Sequence, residues 1–295
     1  MDTVHLFAYF VGNGQQGMRL AKSEDGLHWS DVSDRFFIAP DAGLMRDPFL
    51  LRGPDKRYHL IWTTDWESQD IGYASSQDLV HWSAQKRLPV MASVPGTRNC
   101  WAPEMSYDPV KETFLIYWAS TVTGLFPESA GSSESNYNHR MWCATTKDFQ
   151  TLSSPSVFFD PGFNVIDVTL IQEATGNVRL IGKDERLQPE KKKLFTCQAD
   201  SLYGPFSPPS APFTKAWVEG PATLKVGDWT YVYYDVYRDK RYEAKRTQDF
   251  EAWEDVAEQI RFPEGARHGS IISVSSSEYR ALEQAVLGRE ASKPT

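Results

Sequence analysis

Cysteine is scarce in this chain of 295 residues: only Cys100, Cys143 and Cys197 are present. The number is odd and no two stand at C-x-x-C spacing, so neither a disulfide framework nor a thiolate zinc site is expected; the three read as small buried hydrophobes. A basic surplus is missing too. Lys plus Arg is 31 against 39 Asp plus Glu, a formal charge of -8, which argues against nucleic acid or an anionic membrane surface as the main partner, because both reward a positive footprint. Long apolar runs are also lacking. The longest near the N-terminus, residues 6–11, falls far short of the roughly 20 residues of a membrane-spanning helix. No cationic stretch precedes it and Asp2 stands where one would begin, so no signal peptide is read. As it stands the chain is expected in the cytoplasm; removal of a leader would leave the same sequence and place the protein in the periplasm or outside the cell. What the chain has is rings, with 10 Trp, 13 Tyr and 16 Phe in a composition that is 41% hydrophobic. That excludes a disordered chain and supports a large core, expected as one domain over residues 1–295.

A repeat organises those rings. Short aromatic or β-branched runs bounded by polar turns occur at 7–10, 60–63, 115–118, 180–183 and 231–234, the pattern of buried strands. After each comes a half-alternating strand, at 18–23, 71–76, 140–146, 193–199 and 242–247, and then a turn ending in a ring or an apolar residue, at 25–29, 78–82, 148–152, 202–206 and 249–253. Five copies of about 50 to 70 residues fit the chain. Ahead of four of the buried runs stands a strand that opens on an acid: Asp47 in RDPFLL, Glu104 in APEMSY, Asp167 in IDVTLI and Glu219 in EGPATL. A fifth such strand opens on His268 in HGSIISV.

The chain ends then define the architecture. Three strands precede Asp47, and one follows His268 before a helical pattern at 278–286. Three and one complete a four-stranded unit split between the termini, which is how a β-propeller closes its ring and removes exposed sheet edges. The expectation is an all-β, five-bladed propeller of about twenty strands, its N-terminal strands pairing with the C-terminal inner strand. A large β-sandwich explains short strands but not this closure.

In such a ring the first strand of each blade lines the central channel, so Asp47, Glu104, Asp167, Glu219 and His268 are expected at one mouth. Four carboxyls in one funnel repel each other, a cost that calls for a use. The loops linking second to third strands, at 12–17, 65–70, 121–139, 184–190 and 236–241, share that mouth. The longest, 121–139, is rich in Ser and Gly and reads as a lid or rim. Trp66, Trp101, Phe126 and Tyr237 fall there too. Rings pack on the apolar face of a sugar while carboxylates accept from its hydroxyls, so the expected ligand is a carbohydrate. The candidate substrate contacts are Trp101, Glu104, Trp66, Asp65, Tyr237, Arg267 and His268; Arg46, Arg267 and Arg241 either neutralise the acids or bind substrate. Paired carboxyls across a sugar pocket are the machinery of glycoside hydrolysis, one protonated to donate to the leaving oxygen and one ionised, and placement on separate blades favours the wide, inverting spacing.

These residues resemble glycoside hydrolase family 43 over nearly the whole chain. The resemblance implies a five-bladed propeller of inverting enzymes, many of them acting on arabinofuranosides or β-xylosides. Asp47 in RDPF resembles the general base, Asp167 in VIDVT the residue that tunes the acid and orients substrate, and Glu219 in VEGPA the general acid. His268 in RHGS resembles the family's channel histidine, which in many members holds a water or a calcium ion near the axis; no cofactor is otherwise required. LFAYFVGN, RDPFLLRG, WAPE and YDVY are similar to one bacterial branch that includes α-L-arabinofuranosidases, with relatives acting on β-D-xylosides or galactofuranosides. Glu104 after WAP departs from that branch, and its part is open between a sugar contact, a change in the tuning of the acid and a rim salt bridge. A β-fructosidase ranks low, because a second DP motif near the N-terminus and an EC dipeptide are missing. A sugar-binding propeller without catalysis would not retain Asp47, Asp167 and Glu219 together, and a protein-interaction scaffold would not need an acid at each blade entry.

Overall fold

The computed structural model describes residues 3–291. Strands β1 (Thr3–Val11), β2 (Arg19–Ser23) and β3 (Ser30–Asp31) open the chain. The second blade follows as β4 (Arg46–Arg52), β5 (Tyr58–Thr63), β6 (Ile71–Ser76) and β7 (Lys86–Leu88). The third is β8 (Trp101–Asp108), β9 (Thr113–Ser120), β10 (Arg140–Thr146) and β11 (Ser156–Phe159). The fourth has β12 (Val165–Gln172), β13 (Val178–Asp184) and β14 (Lys193–Ala199); the fifth has β15 (Glu219–Val226), β16 (Trp229–Val236), β17 (Arg241–Thr247) and β18 (Glu254–Asp255). Last comes β19 (Ala266–Ser275), which pairs antiparallel with β1 to give the order β19-β1-β2-β3. Five small antiparallel sheets therefore close into a five-bladed propeller, mended by one strand from the far end of the chain.

The second strand of each blade reads as a continuous apolar run because both of its faces meet a neighbouring blade. Along β1, Leu6 and Ala8 pack toward the second blade, whereas Phe7 and Tyr9 pack toward the fifth. In β16 the alternation is Val232 and Tyr234 toward the fourth blade, Tyr231 and Tyr233 toward the first. The hydrophobic interior is thus five clusters, one per blade interface, which is where most of the rings are spent.

Four blades turn from third to fourth strand by one device. Ser or Thr stands two residues before an Asp. The Asp Oδ1 accepts the backbone N–H groups two and three residues on, and the Ser or Thr hydroxyl accepts the intervening N–H. Asp25, Asp78, Asp148 and Asp249 do this with Ser23, Ser76, Thr146 and Thr247. The residue after each Asp takes a left-handed φ: Gly26 74°, Leu79 64°, Phe149 54° and Phe250 62°. Asp and Ser make such turns because their short polar chains replace a backbone partner.

The fourth blade lacks this motif and has three strands, so the described residues form nineteen strands rather than a full twenty. Beside β14 runs Ser207-Pro208-Pro209-Ser210-Ala211-Pro212, whose prolines have no N–H to give a ladder. Its serines compensate in both directions. Ser207 and Ser210 donate N–H to the carbonyls of Gln198 and Thr196, and their hydroxyls accept from the N–H groups of the same two residues.

The helix expected at 278–286 is α1 (Ser276–Ala291). Glu278 accepts from the Ser275 N–H at 2.8 Å while the Ser275 hydroxyl accepts from the Glu278 N–H at 3.2 Å, a capping box at the entry. Tyr279 and Leu282 pack this helix on the interface between the first two blades.

Ring closure depends on close backbone approach at Gly269. A Cβ there would lie 1.9 Å from the Ala8 carbonyl oxygen in the partner strand. Gly269→Ala should therefore cost stability at or above the top of the overpacking range, about 3 kcal/mol, with urea denaturation as the measurement. An unchanged midpoint would show that the β1–β19 seam is looser than the structure describes.

Candidate active site

Each innermost strand is broken near its start by a bulge. The register slips between Arg46 and Phe49 in β4, Trp101 and Glu104 in β8, Ile166 and Thr169 in β12, and Glu219 and Ala222 in β15; in the closing pair it slips opposite Ala8–Phe10, between Arg267 and Ser270. Asp47, Ala102, Asp167 and Gly220 take left-handed φ values of 50°, 45°, 52° and 59° at the bulge. Bulges re-aim side chains beside active sites, and left-handed non-glycine residues mark stored strain.

The bulges correct the expected alignment of the acids. Asp47, Ala102, Asp167, Gly220 and His268 are equivalent positions. Glu219 stands one residue before the bulge, equivalent to Arg46, Trp101, Ile166 and Arg267. Glu104 stands two residues beyond it, equivalent to Phe49, Thr169, Ala222 and Ser270. The first two sets, apart from Gly220, line a cavity of about 530 Å³ at the mouth. Glu104 does not line it; it lies one level deeper, 6% exposed, accepting from the Tyr117 hydroxyl at 3.0 Å. Neither sugar contact nor a rim salt bridge describes its place.

The expected aromatic contacts divide. Trp101, Trp66 and Tyr237 line the cavity, as do Arg267 and His268. Trp66 is 46% exposed and meets Trp101 edge to face at 5.7 Å, and the Trp101 indole N–H donates to the Trp66 carbonyl. Tyr137 and His139 from the long loop stack on each other and meet Trp101 at a tilt. That loop, with Ser133, Glu134 and Ser135 also lining the cavity, forms one wall of the site. Asp65 is outside the cavity lining: it is exposed, and its carboxylate caps the Trp66 N–H at 2.7 Å. Phe126 lies under the buried Arg140 guanidinium instead of at the mouth, and Arg241 pairs with Glu243 and Asp239.

Electrostatics separate the acids. Asp47 Oδ2 accepts from the Thr63 hydroxyl at 2.8 Å, and His268 Nδ1 lies 3.4 Å from Asp47 Oδ1 and 4.0 Å from Asp167 Oδ1. Burial disfavours the Asp47 carboxylate, but the bond and charge of His268, the charge of Arg46 and the Thr63 bond outweigh it and hold its pKa well below the usual range. Burial pushes Asp167 up, against the charges of His268 and Lys183; its Oδ2 accepts the Gly220 N–H at 3.1 Å. For His268, burial opposes charge, but Asp167 and Asp47 raise it to about 9, so the imidazole is a cation between two acids at neutral pH.

Glu219 is held by two cations. Arg267 donates to Oε1 at 2.9 Å and Lys183 to Oε2 at 3.2 Å. Lys183 also pairs with Glu185 at 2.8 Å, and Glu185 with Lys192. Arg267 reaches Asp235 at 3.3 Å, where burial and the Glu219 charge raise the carboxyl to about 7. The sequence reading missed Lys183, Glu185, Asp235 and Thr63. The available signal was a Lys and an Asp ending otherwise apolar runs, LIGKD and VYYDV.

Calcium takes about six to eight oxygen ligands. Among the described residues no group of three or more His, Cys, Asp or Glu is arranged to hold an ion, and His268 turns Nδ1 to carboxylates instead. No step below passes through a metal.

With this geometry in place, comparison with known proteins is decisive at the level of family. The family described as "Probable glycosyl hydrolase domain", related to glycoside hydrolase family 43, matches residues 2–280. The chain belongs to that family. Among curated proteins it is similar to an α-L-arabinofuranosidase of Bifidobacterium longum, 23% identical over 151 residues, which is 44% of this chain and 14% of that much longer protein. Among solved structures it superposes on an α-L-arabinofuranosidase from Lactobacillus brevis, with a TM-score of 0.55, 16% identity and 72% of each chain covered. An exo-β-1,3-galactanase from Phanerochaete chrysosporium gives a TM-score of 0.57 at 11% identity, covering 74% of this chain and 50% of that one. At such identities the structural likenesses establish the propeller fold.

Glu104 yields a test of the site's electrostatics. Burial raises it from 4.5 to about 8, against the Thr169 bond, the His268 charge and the Tyr117 bond, and with help from the Asp167 charge. Its folded pKa lies above the unfolded one, so the native state keeps a proton that the unfolded chain loses, and stability falls as pH rises from 4.5 through about 8. Asp167 and Asp235 act with the same sign. In Glu104→Gln the decline in melting temperature across that window should be shallower than in wild type. An identical decline would mean that Glu104 is ionised in the fold.

Proposed function

We propose that the protein is an inverting, exo-acting glycoside hydrolase that removes terminal α-L-arabinofuranosyl residues from plant polysaccharides or oligosaccharides. The observation that carries this reading is the division of charge around one cavity. Asp47 is kept ionised by His268, Arg46 and Thr63, which suits a base that draws a proton from water. Glu219 is the acid that protonates the leaving oxygen. Asp167, buried and shared between His268 and the Gly220 N–H, orients the sugar and tunes the acid. For Glu219 to carry a proton on one oxygen, an ion pair must open, and the 3.2 Å pair with Lys183 is the longer of the two.

The choice of arabinofuranoside is supported by the names of the Bifidobacterium longum and Lactobacillus brevis proteins. β-D-xylosidase or β-D-galactofuranosidase action is the alternative within the family, and the galactanase likeness keeps galactosides in view.

A panel of nitrophenyl α-L-arabinofuranoside, β-D-xyloside and β-D-galactofuranoside tests the reading. Hydrolysis of the first should fall by about 10²–10⁴ in Asp47→Asn and in Glu219→Gln, the usual contribution of a positioned acid or base. Full activity in either variant would remove that residue from the mechanism. Proton NMR of the first-formed sugar should show the β anomer from the α-linked substrate; α would mean retention.

A further inference from the structure

Among the described residues two charged groups that line the cavity stand outside its ion pairs, the exposed Glu134 of the long loop and Arg46. Asp47 and Asp167 share His268, Glu219 holds Lys183 and Arg267, and Glu185 holds Lys183 and Lys192. Arg46 lines the same cavity and is 8% exposed, yet among the described residues it forms no ion pair. Among the described residues its one side-chain hydrogen bond runs from Nη1 to the Asn13 side-chain oxygen at 2.8 Å. The guanidinium lies 4.4 Å from the Trp66 ring centroid and 4.8 Å from that of Phe10. Its stem passes Gly14, where a Cβ would lie 2.8 Å from Arg46 Cγ. The 12–17 loop, two rings and Asn13 therefore fix a planar cation and leave most of its five N–H donors without a protein acceptor. Its charge acts on the neighbouring Asp47, but its free N–H donors open on the cavity, and a guanidinium fork matches a carboxylate bidentately.

We propose that Arg46 receives a carboxylate on the bound carbohydrate, so that the enzyme takes chains carrying a uronic acid at the sugar that packs beside Trp66. The inference rests on reading this cavity as a sugar site, but not on the chemistry performed there. Arg46 precedes Asp47, so the carboxylate binds next to the base, with the exposed Trp66 ring offering the apolar surface on which a sugar packs.

The test is a titration followed by intrinsic tryptophan fluorescence, which Trp66 and Trp101 supply, using D-galacturonate and D-glucuronate against D-galactose and D-glucose. The uronates should bind about tenfold more tightly or better in wild type, as expected for a charge-assisted bond, and the preference should shrink with added salt. Read as the ratio of uronate to neutral-sugar affinity, it should vanish in Arg46→Gln and be reduced in Arg46→Lys, which keeps the charge without the fork. Asn13→Ala, which only releases the guanidinium from its anchor, serves as the second variant if Arg46→Gln melts at lower temperature, and should weaken uronate binding alone. Equal or absent binding in wild type, or a preference that survives in Arg46→Gln, overturns the proposal. Asp47→Asn should lose hydrolysis but keep the preference. Uronate selectivity without turnover thus supports Arg46 and counts against the hydrolase reading; turnover without selectivity does the reverse.

Discussion

The pairing of β1 with β19 is the constraint on which the rest depends. Blade interfaces are ordinary apolar contacts, each requiring its neighbour to stay in place. The ring holds them all only because a strand from one end of the chain is hydrogen-bonded to a strand from the other. The same strand carries Arg267 and His268 into the cavity. His268 is the cation between Asp47 and Asp167, and Arg267 one of two that hold Glu219. The seam that completes the fold thus also neutralises the site, and carboxyls from four blades can converge without a prohibitive repulsion. Glycine at 269 is the local requirement of that arrangement, since a side chain would meet the backbone it must touch.

Within the site, the division of roles comes from depth and partners more than from residue type. Asp47 and Asp167 occupy equivalent bulge positions, yet the first is held ionised by Thr63, His268 and Arg46 and the second is pushed toward its neutral form by burial. Glu104, two residues further along its strand, is neutral because burial raises it to about 8 and the hydroxyls of Thr169 and Tyr117 only partly oppose that. One strand geometry repeated around a ring thus presents acids of different character at levels a few ångströms apart.

Much of this was legible in the sequence because a propeller blade writes itself locally. The runs at 71–76, 140–146 and 193–199 coincide with β6, β10 and β14, since each lies between turn residues and has a repeated apolar face. The closure could be read from counting strands at the ends. What misled was aligning the acids. Bulge register is not visible in hydrophobic alternation, because the extra residue moves side chains between levels without changing composition. The prolines carried the better signal: Pro48, Pro103 and Pro221 each follow the bulge residue, and aligning them separates Asp47, Glu104 and Glu219 as the structure does. Lys183 and Asp235 were hidden for another reason. Each stands one residue before the end of a strand that is mostly core, and only tertiary pairing shows that the charge is matched.

The outer flank of the fourth blade has a consequence for how the protein behaves in a crowded solution. Elsewhere the last strand of a blade is short and offers a few free backbone groups. Here the chain beside β14 is Ser-Pro-Pro-Ser-Ala-Pro, and its serine hydroxyls and N–H groups are turned inward to β14. A foreign strand approaching this side meets three residues that cannot donate and two serines already committed. The segment trades one strand of the ring for a flank on which intermolecular sheet cannot grow, a colloidal safeguard built from residues that by themselves would read as a simple interruption.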